Sequence, residues 1–395
     1  MRKDITLGII GFLALALILG GDVRNSQGRK SEEELYRQIE LFIDAMKTIK
    51  QEYVEDVSDQ KLIYGSLKGM LLSLDPYSSF LEPEMRRELQ METSGEFEGV
   101  GMEITVKDHI VTVVSPIEDT PAWRAGIKPG DRIVEIDGQS TKGMSSMDAA
   151  AKLRGKRGTS VTISVMRENV PKLMKFTLTR DVILVKSVKR KTFGTIGYLR
   201  ISEFQERTTA DLEAALKEFN DSSIAGLVLD LRNNPGGLLS SSIEVSECFL
   251  PQGKLIVYTQ GRDPKDRNVY YSRKKPLWTK PVVLLVNGGS ASASEIVFGA
   301  MKDNLKEFRS VGTKTFGKGS VQNIIQLKDG SALRLTIARY YTPAGICIEG
   351  QGIQPDVEVK LPERAENDEP ISLTDEKDVQ LQVALKELKK LLPPE

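Results

Sequence analysis

Hydrophobic positions along this chain fall into three patterns, and each predicts a different kind of element. Residues 5–21 form an uncharged apolar run behind Arg2 and Lys3, with no polar face. The run is long for the core of a signal peptide and slightly short for an unstrained membrane span. Positive charge on its near side predicts that everything after Asp22 is exported. No lipobox cysteine and no Ala-x-Ala site closes the run, so the expectation is an uncleaved anchor, with cleavage near Gly20-Gly21 as the alternative. Beyond a polar linker, Leu35, Ile39, Ile43, Met46 and Ile49 recur at helical spacing. They predict a helix over 32–54 with one face buried, followed by a second helix near 60–74.

The third pattern is strand-like. Gly95 to Thr179 reads as short strands with turn signals around one helix, 146–154. Farther on, apolar runs of buried-strand type, 226–232 and 281–287, alternate with helices over 208–220 and 238–249. Strands over 321–327 and 332–341 are joined by Asp329-Gly330, a hairpin signal. An acidic linker opens at Pro362, and a last helix, 375–392, sets Leu381, Leu385, Leu388 and Leu392 on one side. The predicted organisation is a segment 1–21, a helical region 22–94, a domain 95–183, an α/β core 184–360 and a linker with a helix 361–395.

Composition removes several classes of function. Basic and acidic residues balance at 55 each, so no basic field invites nucleic acid. The two cysteines, Cys248 and Cys347, offer neither a metal-ligand spacing nor a disulfide framework and read as buried free thiols, with a single disulfide as the alternative. The single histidine, His109, falls in Lys107-Asp108-His109-Ile110, a polar turn between two strands.

That histidine matters because the candidate chemistry is a serine's. After the buried-strand run comes Gly288-Gly289-Ser290-Ala291-Ser292-Ala293-Ser294-Glu295-Ile296, a sharp turn and a Ser-x-x-Glu helix start. Such a corner lets a hydroxyl stand clear of its backbone beside helix N-terminal amides that stabilise developing negative charge. With His109 remote, a Ser-His-Asp triad has little support, and the remaining base is a lysine held neutral: Lys318, between two glycines in Phe316-Gly317-Lys318-Gly319-Ser320-Val321-Gln322. A lysine is neutral at pH 7 only when its pKa is pulled well below the ordinary ~10.4, and desolvation does this. Plainer readings stand beside this one. Ser292 and Glu295 form an ordinary capping box equally well, Ser290 or Ser294 is the reactive serine instead, and Lys314 is a solvated neighbour. Gly312-x4-Gly317-Lys318 half-matches a phosphate loop, but Gly319 stands where Ser or Thr is required and a strand follows in place of a helix.

The two motifs together, 290–296 and 316–322, resemble the carboxyl-terminal processing proteases, tail-specific serine peptidases with a Ser-Lys mechanism. The resemblance implies Ser292 as nucleophile, Lys318 as general base and Gln322 as the residue that orients the lysine, with no cofactor and no metal. The helix near 60–74 and the following Leu74-Asp75-Pro76-x-Ser78-Ser79 also look like that family's N-terminal region, which implies a surface that can help dimerise. Plain packing explains those residues as well.

Phe97-Glu98-Gly99-Val100-Gly101-Met102-Glu103-Ile104, the Pro129-Gly130-Asp131 turn and the helix end Leu153-Arg154-Gly155 resemble a PDZ domain of the circularly permuted bacterial kind. In that fold a glycine-flanked loop offers backbone N–H groups to a free carboxylate while the peptide adds to a sheet edge. The resemblance implies Gly99, Val100 and Gly101 as the carboxylate loop and Met102, Glu103 and Ile104 as the strand beside the peptide. It also implies that Arg154 links the peptide-loaded domain to the active site; the alternative is that Arg154 caps its own helix. Asn233-Asn234-Pro235-Gly236-Gly237 repeats the grammar of the serine corner, and the units resemble the crotonase-like and Clp-protease-like ββα architecture. Gly236, Gly237 and the Ala293 amide are then the oxyanion-hole candidates, unless Pro-Gly-Gly is an ordinary turn.

The expectation is therefore an exported serine endopeptidase, α/β in class, with a PDZ domain inserted into or preceding its core and flanking helices. Its partners are protein substrates held by their C-terminal tails, a possible activator protein, the membrane through 5–21 and a second copy of the chain. The localisation expected is periplasmic or otherwise extracytoplasmic. The rival from another class is a non-catalytic scaffold for C-terminal tails; a coenzyme-A hydratase rests on fold analogy alone.

Overall fold

A computed structural model of the protein describes residues 33–361 and 377–392. The expected anchor over 5–21 and the linker from Pro362 lie outside the described residues. The chain divides into two compact units, one ending at Phe80 and one beginning at Leu81.

In the first unit, α1 spans 33–52 and α2 spans Asp59–Leu72, the latter begun by Ser58, whose hydroxyl accepts the Lys61 N–H. The Asp75 carboxylate holds the following turn, accepting the Tyr77 and Ser78 N–H groups at 2.8 Å each. A short strand, β1 (Ser79–Leu81), lies at the boundary. The expected buried face of the first helix is not found. Leu35 is 60% exposed, and Ile39, Ile43 and Ile49 are each 44% exposed. The apolar stripe is there, but among the described residues nothing covers it.

The second unit opens with α3 (Pro83–Ser94), started by Pro83 in the first turn and ended by Gly95 at φ 71°. It buries none of its residues, which is why no hydrophobic period announces it. Both ends are tied to the core, through Arg86 Nε to the Gly330 carbonyl at 2.9 Å and Glu206 N–H to the Thr93 carbonyl at 3.0 Å. Next, β2 (Glu96–Gly99) pairs with β9 (Asp181–Leu184). Between them lies the body of the smaller domain: β3 (Met102–Lys107), β4 (Ile110–Pro116), α4 (Pro121–Arg124), β5 (Arg132–Ile136), β6 (Gln139–Ser140), α5 (Ser146–Leu153), β7 (Ser160–Met166) and β8 (Met174–Thr179). Its antiparallel sheet runs β3-β4-β5-β7-β8, with β6 beside β5, and closes on a core that includes Val111, Ile133, Ile163 and Leu153. β3 is an edge strand. His109 sits in the β3–β4 turn at φ 59°, exposed.

The larger domain follows: β10 (Val188–Phe193), β11 (Ile196–Ile201), α6 (Thr208–Asn220), β12 (Gly226–Asp230), α7 (Leu239–Glu247), β13 (Leu255–Gly261), β14 (Arg267–Tyr271), β15 (Val282–Val286), α8 (Ala293–Asn304), β16 (Phe308–Gly312), β17 (Ser320–Gln326), β18 (Ala332–Tyr341), β19 (Val357–Glu358) and α9 (Val379–Leu391). One sheet has the order β10-β11-β12-β15-β16-β19, parallel except for β10. Helices cover both faces, α6 to α8 on one and α9 on the other, so β12 and β15 are buried at every position. β14, β13, β18 and β17 form an antiparallel layer.

A buried ion network fastens α9. The Arg232 guanidinium, 0% exposed, meets Asp230 at 2.7 Å and Asp378, the residue that caps α9, at 2.8 Å. Burial alone would lower its pKa, but the Asp378 and Asp230 hydrogen bonds more than offset this and hold it above the ordinary arginine value.

Candidate active site

β12 and β15 are parallel neighbours, and both leave the sheet at the same end, where open α/β sheets place their reactive groups. Two corners result, 231–237 and 287–292, and polar side chains lace them together. Asn233 N–H donates to Asn287 Oδ1 at 2.9 Å, and Asn287 Nδ2 returns to Asn233 Oδ1 at 2.8 Å. Ser290 Oγ donates to the Leu231 carbonyl at 2.8 Å and Ser294 Oγ to the Asn234 carbonyl at 3.0 Å, both serines fully buried. Their hydroxyls are engaged in joining the corners, so neither competes with Ser292 for a reactive role.

Ser292 is half-buried, and its backbone is at φ 54°, ψ −113°, a left-handed conformation unusual for a residue with a Cβ. Strain of this kind persists where surrounding bonds over-determine it. Here they do. Ser292 N–H donates to Glu295 Oε2 at 2.9 Å, and the Ser292 carbonyl accepts the Glu295 and Ile296 N–H groups at 2.9 and 3.0 Å. The side chain is thereby fixed at the N-terminus of α8, facing a cavity of about 360 Å³.

Glu295 does more than cap the helix. It is 0% exposed, and four donors converge on its carboxylate: Thr315 Oγ1 at 2.6 Å and Gly317 N–H at 2.8 Å on Oε1, Ser292 N–H and Lys318 N–H at 2.9 Å each on Oε2. Burial pushes its pKa up, and the four donors pull against that. Three of the four donors are backbone N–H groups, which cannot accept in return, and this favours the carboxylate form. One side chain thus sets the spacing between the serine corner and the lysine loop.

The lysine loop is built from close backbone approaches. A Cβ on Gly319 would come within 2.4 Å of the Glu349 nitrogen, and Gly317, at φ 93°, would bring one within 2.9 Å of the Gly352 nitrogen. Gly319 N–H donates to Glu349 Oε2 at 2.7 Å, and the Tyr340 hydroxyl donates to the Lys318 carbonyl. Lys318 lines the same cavity as Ser292. Burial, and next the Arg334 guanidinium, hold its pKa below the ordinary lysine value, while Glu349 and Glu295 pull it upward. Lys314, by contrast, is exposed.

Gln322 also lines the cavity, but its amide N–H groups go to Ser320 Oγ at 2.9 Å and Thr336 Oγ1 at 3.4 Å. It braces β17 where a bulge shifts the register, and reaches the lysine loop through Ser320. Of the three oxyanion candidates, Gly236 gives its N–H to Asn234 Oδ1 at 2.9 Å, whereas Gly237 and Ala293 keep theirs from any backbone acceptor. Gly236 has a steric role: a Cβ there would lie 2.8 Å from that of Ser292.

The reader site is geometrically separate. The Val100 carbonyl accepts the Ala122 N–H at 2.8 Å, and the Gly101 carbonyl accepts the Ile117 N–H at 2.9 Å. In trans peptides the next N–H points the opposite way, so the Gly101 and Met102 amides face outward. Gly99, Val100, Gly101, Met102 and Ile104 line a small pocket of about 70 Å³ with Phe97 and with Ala150 and Leu153 of α5, apolar but for Arg154 in its wall. Glu103 lies on the same edge strand. Arg154 is the C-cap residue of α5 through its backbone N–H, which donates to the Ala150 carbonyl at 2.9 Å, but the side chain that meets the last carbonyls is that of Arg180, donating to Lys152 and Leu153 at 2.9 and 3.1 Å. Arg154 instead approaches Glu88 of α3 at 3.9 Å and lies 5.6 Å from the Phe97 ring centroid. It lines a groove of about 570 Å³ between α5 and α3, and Glu92 and Glu203 line both that groove and the catalytic cavity. Sequence reasoning missed α3, Arg334 and the wider role of Glu295, for which Ser-x-x-Glu was the visible signal.

Residues 195–359 match peptidase family S41, residues 112–167 match a PDZ domain, and residues 20–85 match the activating protease CtpB N-terminal domain. The chain is 44% identical over 367 residues to the carboxy-terminal-processing protease of Bartonella bacilliformis, covering 92% of this chain and 83% of that one. It is 36% identical over 354 residues to the carboxy-terminal processing protease CtpA of Bacillus subtilis, covering 89% and 75%. A solved structure, a putative S41 protease from Bacteroides fragilis, has the same fold at a TM-score of 0.51 and 17% identity, covering 88% of this chain and 97% of that one.

Proposed function

This chain belongs to peptidase family S41, the serine-type carboxy-terminal processing proteases, and carries a PDZ domain; from that premise we propose a Ser292–Lys318 mechanism acting on protein tails. The neutral Lys318 amine takes the Ser292 Oγ proton as the oxygen attacks a peptide carbonyl, and the tetrahedral oxyanion forms against the Gly237 and Ala293 amides. The resulting ammonium returns the proton to the leaving amine, and water releases the acyl-enzyme by the same relay. Gln322 supports the lysine loop through Ser320.

One observation carries this reading: a strained, half-buried serine at a helix N-terminus shares a cavity with a lysine of lowered pKa, and a single carboxylate fixes the backbone of both. Ser292→Ala and Lys318→Ala should each abolish hydrolysis of a tailed substrate while leaving the fold and tail binding intact, since nucleophile and base act as one unit. Substantial turnover by either variant would refute the assignment. A lysine base works only when deprotonated, so activity is present above its pKa and lost as pH falls through it. A profile governed by a group near ~6.5, the unperturbed histidine value, would contradict the proposal.

For substrate capture, the outward Gly101 and Met102 amides suit a free terminal carboxylate, and the small pocket suits a small apolar last side chain. Tails ending so should be cleaved faster than the same tails amidated, and equal rates would remove the PDZ domain as reader. Export and anchoring through 5–21 belong to the same reading, and fractionation of the full chain tests them. The exposed stripe of α1 suits a second copy, which sedimentation tests, and turnover by the purified chain alone tests whether an activator is needed.

A further inference from the structure

Arg334 has no role in the chemistry above, although it lines the catalytic cavity with Ser292 and Lys318. It stands on β18 opposite Ile324 of β17, two positions from Thr336, the partner of Gln322. Among the described residues it forms no ion pair and no side-chain hydrogen bond, so its full charge faces the cleft. Such a guanidinium is uncommon, because arginines in partly buried sites usually pair with a carboxylate.

The groups around the Lys318 amine make the consequence clear. From α8 comes Glu295, from the loop after β18 comes Glu349, and from β17 comes Gln322, which is uncharged. β18 supplies the Tyr340 hydroxyl, bound to the Lys318 carbonyl, and Arg334. Both carboxylates favour an ammonium on Lys318. Burial of the amine opposes it first, and among these groups Arg334 is the one that adds to that opposition; an arginine keeps its charge at every pH at which a peptidase is assayed.

We propose that Arg334 is a positioning residue for the base: its unpaired cation in the wall of the same cavity reinforces burial in keeping the Lys318 amine unprotonated, and so ready to accept the Ser292 proton, near neutral pH. The inference rests on the Ser292–Lys318 reading. Lysine needs such help here because two carboxylates hold its loop in place, and their charge works against the neutral amine that catalysis requires. The same repulsion aids the second half of each step, driving the transferred proton from the ammonium to the departing amine.

The test is the pH dependence of kcat/KM for Arg334→Gln, Arg334→Met and Arg334→Lys on one tailed peptide, with melting temperature as the check on folding. In Arg334→Gln and Arg334→Met the rise of activity should move to higher pH, with kcat/KM near neutrality falling about threefold or more and the alkaline plateau kept within about twofold. Arg334→Lys, which restores a cation, should follow the parent profile. A KM that rises equally at all pH values would make Arg334 a substrate contact and overturn the proposal, as would an unmoved profile in a folded uncharged variant. A failure of the underlying reading looks different: a parent profile with no lysine-like ionisation, or activity in Lys318→Ala.

Discussion

Glu295→Gln is the substitution that most directly interrogates the joint between the serine corner and the lysine loop. The carboxylate accepts four hydrogen bonds, two on each oxygen. A glutamine can satisfy only part of that set. Turning its NH2 toward Ser292 and Lys318 sets two donors against two N–H groups, whereas turning it toward Thr315 lets that hydroxyl accept, takes the acceptor from the hydroxyl's own proton and orphans the Gly317 N–H. The second arrangement wins because a hydroxyl proton can turn aside, and the buried N–H orphan costs about 1–3 kcal/mol. Stability should fall by that amount in urea denaturation of a Ser292→Ala background, where autolysis cannot interfere. Losing the negative charge removes a group that raises the Lys318 pKa. The rise of activity should therefore shift to lower pH, opposite in sign to the shift expected at Arg334. The plateau rate should drop about tenfold or more as the Gly317–Lys318 backbone relaxes. A variant with parental stability and plateau rate, or with its profile moved to higher pH, would refute the argument.

Arg154→Ala should lower turnover of long tailed substrates far more than it lowers tail affinity, since Arg154 reaches Glu88 on the helix that also walls the catalytic cavity. Val100 substitutions should weaken affinity first; unchanged turnover in Arg154→Ala, measured beside binding, would end the coupling idea. Asp378→Ala strips one carboxylate from a fully buried guanidinium and should cost about 3–5 kcal/mol in denaturant titration, more than removing an exposed ion pair ever does.

Elements with a strong internal period were legible in the sequence. α6 spans Thr208–Asn220 and β18 spans Ala332–Tyr341, both at the expected residues, and the Asn-Pro-Gly-Gly and Gly-Gly-Ser corners stand on adjacent strands as their shared grammar suggested. Elements defined only by what they pack against were not. α3 has a polar sequence and no buried residue, so nothing in its pattern marks a wall shared by two cavities. α1 shows the reverse: its periodic stripe signals burial that the described residues do not supply. At the site, Ser292, Lys318 and Gln322 line one cavity. The Gln322 hydrogen bonds to Ser320 and Thr336, and the displacement of Gly236 from the oxyanion donors by Asn234, depend on side-chain geometry that no motif spacing encodes.

The network that fastens α9 also imposes an order in time. Arg232 and Asp378 are 146 residues apart in the chain, an interval that takes about 7 to 30 s to synthesise at ordinary elongation rates. In the later part of that interval the nascent polypeptide already contains both the turn at 233–237 and the serine corner at 287–292. It lacks the second carboxylate that balances the guanidinium beside them, so the sheet end that carries the corners cannot close at full stability. A peptidase emerging among other unfolded chains, including itself, thereby assembles its cutting edge last.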